Sequence, residues 1–200
     1  MAQNNLSVSI IVAFLKHYGV RKLVLSPGTR NIPFVTTVEA DPFFECHSVV
    51  DERNAAFFAL GLSQQSGEIV GIACTSGTAV SNYLSGMTEA FWSRTPIVAI
   101  TFDRSPYVVG QLETQKIDQI AALCSVVRKS CALPVLKDMD DVWYFERLLM
   151  DLLQTIKKYL LVLSTPENKR WLDDRMEMRN KLQLFMVLPL HEEVSYFEHF

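Results

Sequence analysis

No glycine follows position 110. All eight (Gly19, Gly28, Gly61, Gly67, Gly71, Gly77, Gly86 and Gly110) precede that point, so tight turns and close backbone approach to a ligand are expected in the first 110 residues and a plainer structure beyond. There is no CxxC pair. Cys46, Cys74, Cys124 and Cys131 stand apart and read as small buried hydrophobes in a reducing cytoplasm, not as disulfides or a zinc site. His17, His47, His191 and His199 are scattered without metal-ligand spacing, so no metal site is expected among them. Apolar runs such as Ile10–Leu15 fall far short of the ~20 residues a spanning helix needs, which argues against membrane insertion. The opening MAQNNLSVSI has no basic n-region and is not expected to be a signal peptide. Charge is nearly balanced, with 19 Lys and Arg against 22 Asp and Glu and a net charge of −3, which argues against a nucleic-acid or anionic-membrane footprint.

What is present is a core-forming composition. Apolar residues make up 49% and charged residues 20% of 200, the profile of one globular domain, or one domain with an appendage, and not of a disordered or fibrous chain. Strand and helix patterns alternate along the first part. A helix is expected over 6–18, a strand over 22–26, a helix near 31–40, a strand over 43–50, a helix over 51–65, a strand over 68–74, a helix over 75–92 and a strand over 96–102. Beyond these, 114–123 reads as a short helix, VVRKSCALP as a strand, 138–159 as an amphipathic helix and 159–166 as a last strand. Short joints between alternating strands and helices imply an α/β fold, a doubly wound and mainly parallel sheet with helices on both faces. The stretch 167–181 holds nine charged residues. On that shift the chain divides into a domain over 1–166 and a charged C-terminal tail over 167–200.

Four loops leave strand ends, where such sheets bind ligands. Ser26-Pro27-Gly28-Thr29-Arg30 offers a sharp turn, a helix cap and a guanidinium able to hold a carboxylate bidentately. Asp51-Glu52-Arg53-Asn54 opens a helix between VV and AAFFALG, where a carboxylate shielded from water could exchange a proton near neutrality. Cys74-Thr75-Ser76-Gly77-Thr78-Ala79 presents backbone N–H groups at a helix start, without being a Walker A loop or a GxGxxG turn. Asp103-Arg104-Ser105-Pro106, with Gln111-Leu112-Glu113-Thr114-Gln115, adds a second arginine and an amide. Read singly, each has a plainer account as a turn, a first-turn acid, a tight junction or a solvated loop.

In this order and spacing, SPGTR, DERNAAFFALG, CTSGTA and ITFDRSP…ETQKIDQ resemble the N-terminal pyrimidine-binding domain of thiamine-diphosphate enzymes, over about residues 5–135. Within it they are most similar to the menaquinone-pathway branch that joins 2-oxoglutarate to isochorismate. The resemblance implies that Glu52 is the catalytic glutamate. It would hydrogen-bond N1′ of the cofactor's aminopyrimidine and so promote loss of the thiazolium C2 proton. It implies that Thr75, Ser76, Gly77 and Thr78 line the cofactor, and that Thr29, Arg30, Arg104 and Gln115 hold an acidic acceptor while a 2-oxo acid is decarboxylated. Thr114 stands where this branch often has asparagine, which leaves the acceptor open.

Members of that family also carry a diphosphate-binding domain whose GDG…N motif holds Mg²⁺, and no such motif occurs here. Their active sites form between the pyrimidine domain of one subunit and the diphosphate domain of another. The resemblance therefore implies a partner chain, a homodimer, or both. Where the domain usually closes on a strand like GPVHINVP, this chain reads YLLVLSTPENKRW. Three readings stay open: half of an enzyme site, a non-catalytic interaction module, and an unrelated nucleotide binder, the last disfavoured by the missing GxGxxG.

Overall fold

The structure, a computed structural model, describes residues 2–104, 111–112, 114–164 and 183–189. Six strands form one sheet: β1 (Lys22–Leu25), β2 (Glu45–Ser48), β3 (Val70–Cys74), β4 (Ile97–Asp103), β5 (Lys129–Ala132) and β6 (Gln183–Pro189). Their order is β2-β1-β3-β4-β6-β5 and every pairing is parallel. The helices are α1 (Ala2–His17), α2 (Ile32–Glu39), α3 (Glu52–Ser66), α4 (Thr78–Ser93), α5 (Gln119–Ala122) and α6 (Met139–Ser164).

Side-chain alternation along the strands divides the core between two faces. Leu23, Leu25, Ala73, Val98, Ile100 and Phe102 pack with α1, α2 and α6, including Ile11, Leu15, Phe34, Phe145, Leu149 and Leu152. Val24, Val70, Ile72, Cys74, Ile97 and Ala99 pack with α3 and α4, including Ala55, Ala59, Val80, Tyr83 and Met87. All residues of β3 and β4 are buried, as expected of central strands covered on both sides. Each fully buried Val, Leu, Ile, Phe or Met contributes about 1.5–3 kcal/mol over its exposed state.

Local chemistry sets the helix ends. The N–H groups of Gly19 and Val20 return to the carbonyls of Lys16 and Leu15 at 3.1 and 2.9 Å, closing α1. Asp51 caps α3 by accepting from Asn54 N at 2.8 Å. Cap and register together place the first residue of α3 at the carboxyl end of β2.

Two expectations are corrected. Of residues 159–166, read as a strand, 159–164 belong to α6, because the helical spacing of Leu149, Leu152, Leu153 and Ile156 runs straight on into YLLVL, and 165–166 lie outside the described residues. The closing strand comes later, at QLFMVLP within the stretch 167–200, and it enters the sheet between β4 and β5. The cysteines are not uniformly buried either. Cys74 and Cys131 are, but Cys46 is half-buried and Cys124 exposed; all four are free thiols.

Candidate active site

The carboxyl ends of β1, β3 and β4 meet at one edge of the sheet, and the four loops leave from there or beside it. After β1 the chain is knitted to itself. Ser26 Oγ donates to Val49 O at 2.8 Å and Asn31 Nδ2 to Ser26 O at 3.0 Å, while Gly28 N donates to Asn31 Oδ1 at 2.8 Å. Thr29–Asn31 form a short 3-10 turn that leaves Thr29 exposed and Arg30 buried at 6% exposure. The cap of α2 is Asn31, not Thr29. The Arg30 side chain runs to the loop before α5, where its Nη1 donates to Gln115 Oε1 at 3.2 Å.

Glu52 is the first residue of α3 and half-buried. Its charge reaches the buried thiol of Cys74 and the hydroxyl of Tyr83. Burial pushes both groups well up, and the Glu52 carboxylate adds to the rise of each. The acid is thus near enough for its charge to be felt at the end of β3 and in α4.

The turn after β3 holds the closest packing. Thr75 is buried, with an Oγ1 that has no hydrogen-bond partner. It presses on Gly28, where an added Cβ would come within 2.7 Å of Thr75 Cβ, so a larger residue there would part the β1 and β3 loops. Ser76 is fully buried and its Oγ donates to Gln115 O at 3.0 Å. Gly77 adopts φ +59°, and an added Cβ would overlap the carbonyl oxygen of Gln115. Thr78, the first residue of α4, is exposed.

Beyond β4, Asp103 is a double anchor. Its Oδ1 accepts from Arg104 N at 2.7 Å, and its Oδ2 accepts from Lys116 Nζ at 2.6 Å, with both side chains 9% exposed. Gln115 sits in the left-handed region at φ +55°. A non-glycine residue held there signals a conformation imposed by its surroundings. Glu113 and Ser105–Gly110 lie outside the described residues.

The structure therefore brings Arg30, Gln115, Ser76 and Gly77 into direct contact. It anchors the Arg104 backbone and the Lys116 side chain on Asp103, and it leaves Glu52 half-buried at the head of α3. Residues given no role from the sequence complete the arrangement: Asn31 and Ser26 under the first loop, the Asp103–Lys116 pair, Tyr83, and Gln119, which bridges Gly77 and Thr101. Gln119 closes the motif ETQKIDQ, which was the sign available for it. Among the described residues no three His, Cys, Asp or Glu gather as a metal site, and no helix is long and apolar enough to cross a membrane.

Residues 7–122 match the family described as thiamine pyrophosphate enzyme, N-terminal TPP binding domain. The 2-succinyl-5-enolpyruvyl-6-hydroxy-3-cyclohexene-1-carboxylate synthase of Bacteroides fragilis is 42% identical over 143 residues, 72% of this chain and 26% of that protein. The enzyme of the same name from Porphyromonas gingivalis is 43% identical over 147 residues, 73% of this chain and 26% of that protein. The chain thus spans about a quarter of the length of the curated relatives it matches. Among solved structures, the thiamine diphosphate-dependent 4-hydroxybenzoylformate decarboxylase of Rhodococcus jostii RHA1 superposes with a TM-score of 0.64 at 16% identity, covering 92% of this chain and 30% of that one. That likeness is one of fold.

Proposed function

Because the chain belongs to the thiamine pyrophosphate enzymes, as their N-terminal TPP binding domain, we propose that it supplies the pyrimidine half of the active site of a carboligase. This carboligase would decarboxylate a 2-oxo acid and add the remainder to an acidic acceptor, on the pattern of 2-oxoglutarate and isochorismate. The observation that carries the reading is Glu52, half-buried at the head of α3 after β2, at the same edge of the sheet as the Arg30–Gln115 pair.

The residues fit the pyrimidine end of the cofactor. Thr75 offers a buried Oγ1 still in want of a partner, next to the glycine contact that joins the β1 and β3 loops. Glu52 would hold the ring nitrogen and move a proton there, and Thr75, Ser76, Gly77 and Thr78 would line the ring. When bound, thiamine diphosphate supplies the carbanion-stabilising carbon. Arg30, with a planar fork of donors, would hold the acceptor's carboxylate together with Arg104, and Thr29 and Gln115 would complete the pocket. The diphosphate and its Mg²⁺ would be carried by a module from elsewhere, and the action would be cytoplasmic.

A second reading, an interaction module without turnover, is favoured by one observation. Phe57 and Phe58 on α3 and Leu84 and Trp92 on α4 are 41–55% exposed. Such a surface suits a partner domain or second copy, as the half-site reading also requires.

The test adds a diphosphate-binding partner chain to this one and follows hydrogen–deuterium exchange at C2 of thiamine diphosphate in D₂O with Mg²⁺ by proton NMR. The chain is expected to accelerate exchange and Glu52→Gln to abolish the acceleration, since a positioned acid–base group contributes ~10²–10⁴-fold. Equal rates with the native chain and the variant would remove Glu52 from the role given it.

A further inference from the structure

The geometry points to Gln119 as a positioning residue that fixes the acceptor-binding side chains Gln115 and Arg30 by holding the turn after β3. The inference rests on the acceptor reading given above for those two residues. Gln119 opens α5 and is 2% exposed, so its amide is committed inside the protein. Its Oε1 accepts from Gly77 N at 3.0 Å and its Nε2 donates to Thr101 Oγ1 at 3.0 Å. A backbone N–H can only donate, so the contact with Gly77 sets which way the amide faces. Thr101, fully buried on β4, provides a rigid far anchor.

Holding the N–H of Gly77 fixes the Ser76–Gly77 peptide plane. That plane keeps Gly77 at φ +59° with its bare Cα under the Gln115 carbonyl, and keeps Ser76 Oγ on that same oxygen at 3.0 Å. Gln115, at φ +55°, is in a conformation a glutamine does not choose unaided, and these two contacts hold it there. In that conformation its side-chain oxygen meets Arg30 Nη1 at 3.2 Å. Bonds thus run from Thr101 on β4 through Gln119 to Gly77, then from Ser76 through Gln115 to Arg30. The turn read as facing the cofactor and the pair read as facing the acceptor are one connected unit. Gln119 need touch neither ligand. An apolar side chain of the same length would fill its space but leave Gly77 N–H buried without an acceptor, and the peptide would rotate to find one.

Nitrogen-15 NMR of the full chain tests this, with isochorismate and thiamine as probes. Gln119→Met is expected to lose hydrogen-exchange protection at the Gly77 amide, to shift the Gln115 side-chain amide resonances and to weaken isochorismate binding at least tenfold, with the thiamine response retained. Gln119→Glu keeps an acceptor for Gly77, so it should retain exchange protection at the Gly77 amide and leave the Gln115 resonances near their native positions. The inference is overturned if Gln119→Met leaves the Gln115 resonances and isochorismate affinity unchanged. It is equally overturned if a folded Gln119→Glu variant loses Gly77 exchange protection or shifts Gln115 as the methionine variant is expected to, which decides the matter even should the methionine variant not fold. If the native chain ignores isochorismate while Gln119→Met still shifts Gln115, the positioning role stands and the acceptor reading falls.

Discussion

Arg30 and Gln115 are 85 positions apart in the chain and share a hydrogen bond, Nη1 to Oε1, at 3.2 Å. Arg30 reaches it from the loop after β1 and Gln115 from the loop before α5, so the bond closes over the carboxyl ends of the central strands. It ties an arginine that is only 6% exposed to a side chain on a distant loop.

Arg30→Lys keeps the positive charge but replaces a planar fork by a point donor. Isochorismate affinity is expected to fall ~10–100-fold, about 1.5–3 kcal/mol for a charged hydrogen bond, with thiamine binding unaffected. Titration calorimetry measures both, and an unchanged acceptor affinity would exclude Arg30 from the pocket.

Two glycines should respond oppositely to alanine. Gly77→Ala places a side chain where φ is +59° and where the Gln115 carbonyl lies, and should cost more than about 2 kcal/mol. Gly61, inside α3, has nothing within 4 Å of an added Cβ, so Gly61→Ala should stabilise by about 0.5–1 kcal/mol. Urea midpoints of the two variants check the pair of signs.

Alkaline pH should unfold the protein. Burial pushes Cys131 from 9.0 up to about 12, with the Asp151 charge adding and Lys129 opposing, and burial raises Cys74 and Tyr83 as well. Groups raised in the folded state contribute full stability below their unfolded pKa and lose it as pH climbs toward the folded value. The urea midpoint should therefore hold steady below about pH 9 and fall between about pH 9 and 12. Cys131→Val should flatten that fall; an identical slope in the variant would refute the assignment.

Lys116→Met strands the Asp103 carboxylate at 9% exposure and should destabilise by about 3–5 kcal/mol. Asp103→Leu combined with Lys116→Met removes the stranded charge and should recover much of that loss, yet leave the Gln115 loop without its anchor to β4. Restored thermal stability with weakened isochorismate binding is the expected result. Restored stability with native affinity would show the ion pair to be irrelevant to the site.

The alternation of strands and helices was legible because glycine, capping residues and β-branched runs punctuate the first 104 residues regularly. The fold faltered where two patterns overlap. YLLVL suits a strand by composition, but α6 extends through it because the apolar spacing of Leu149, Leu152 and Leu153 continues. QLFMVLP was hidden behind a charged stretch that breaks the rhythm. In the site, Arg30 and Gln115 could be named from linked motifs, but not their mutual bond. Gln119, Asp103 and Lys116 lie in the motifs read from the sequence, but their roles escaped notice because what they hold, a glycine N–H and a loop end, is defined by the folded backbone.

The placement of β6 also dictates an order of events during synthesis. A ribosome releases β5 well before Gln183–Pro189, yet among the described residues β5 pairs in the sheet only with β6. Until that late segment emerges, β4 exposes a bare edge of N–H and C=O groups, open to pairing with any other nascent chain. A premature stop anywhere from 133 to 182 would freeze that state, so the sheet's completion doubles as a check that translation ran far enough.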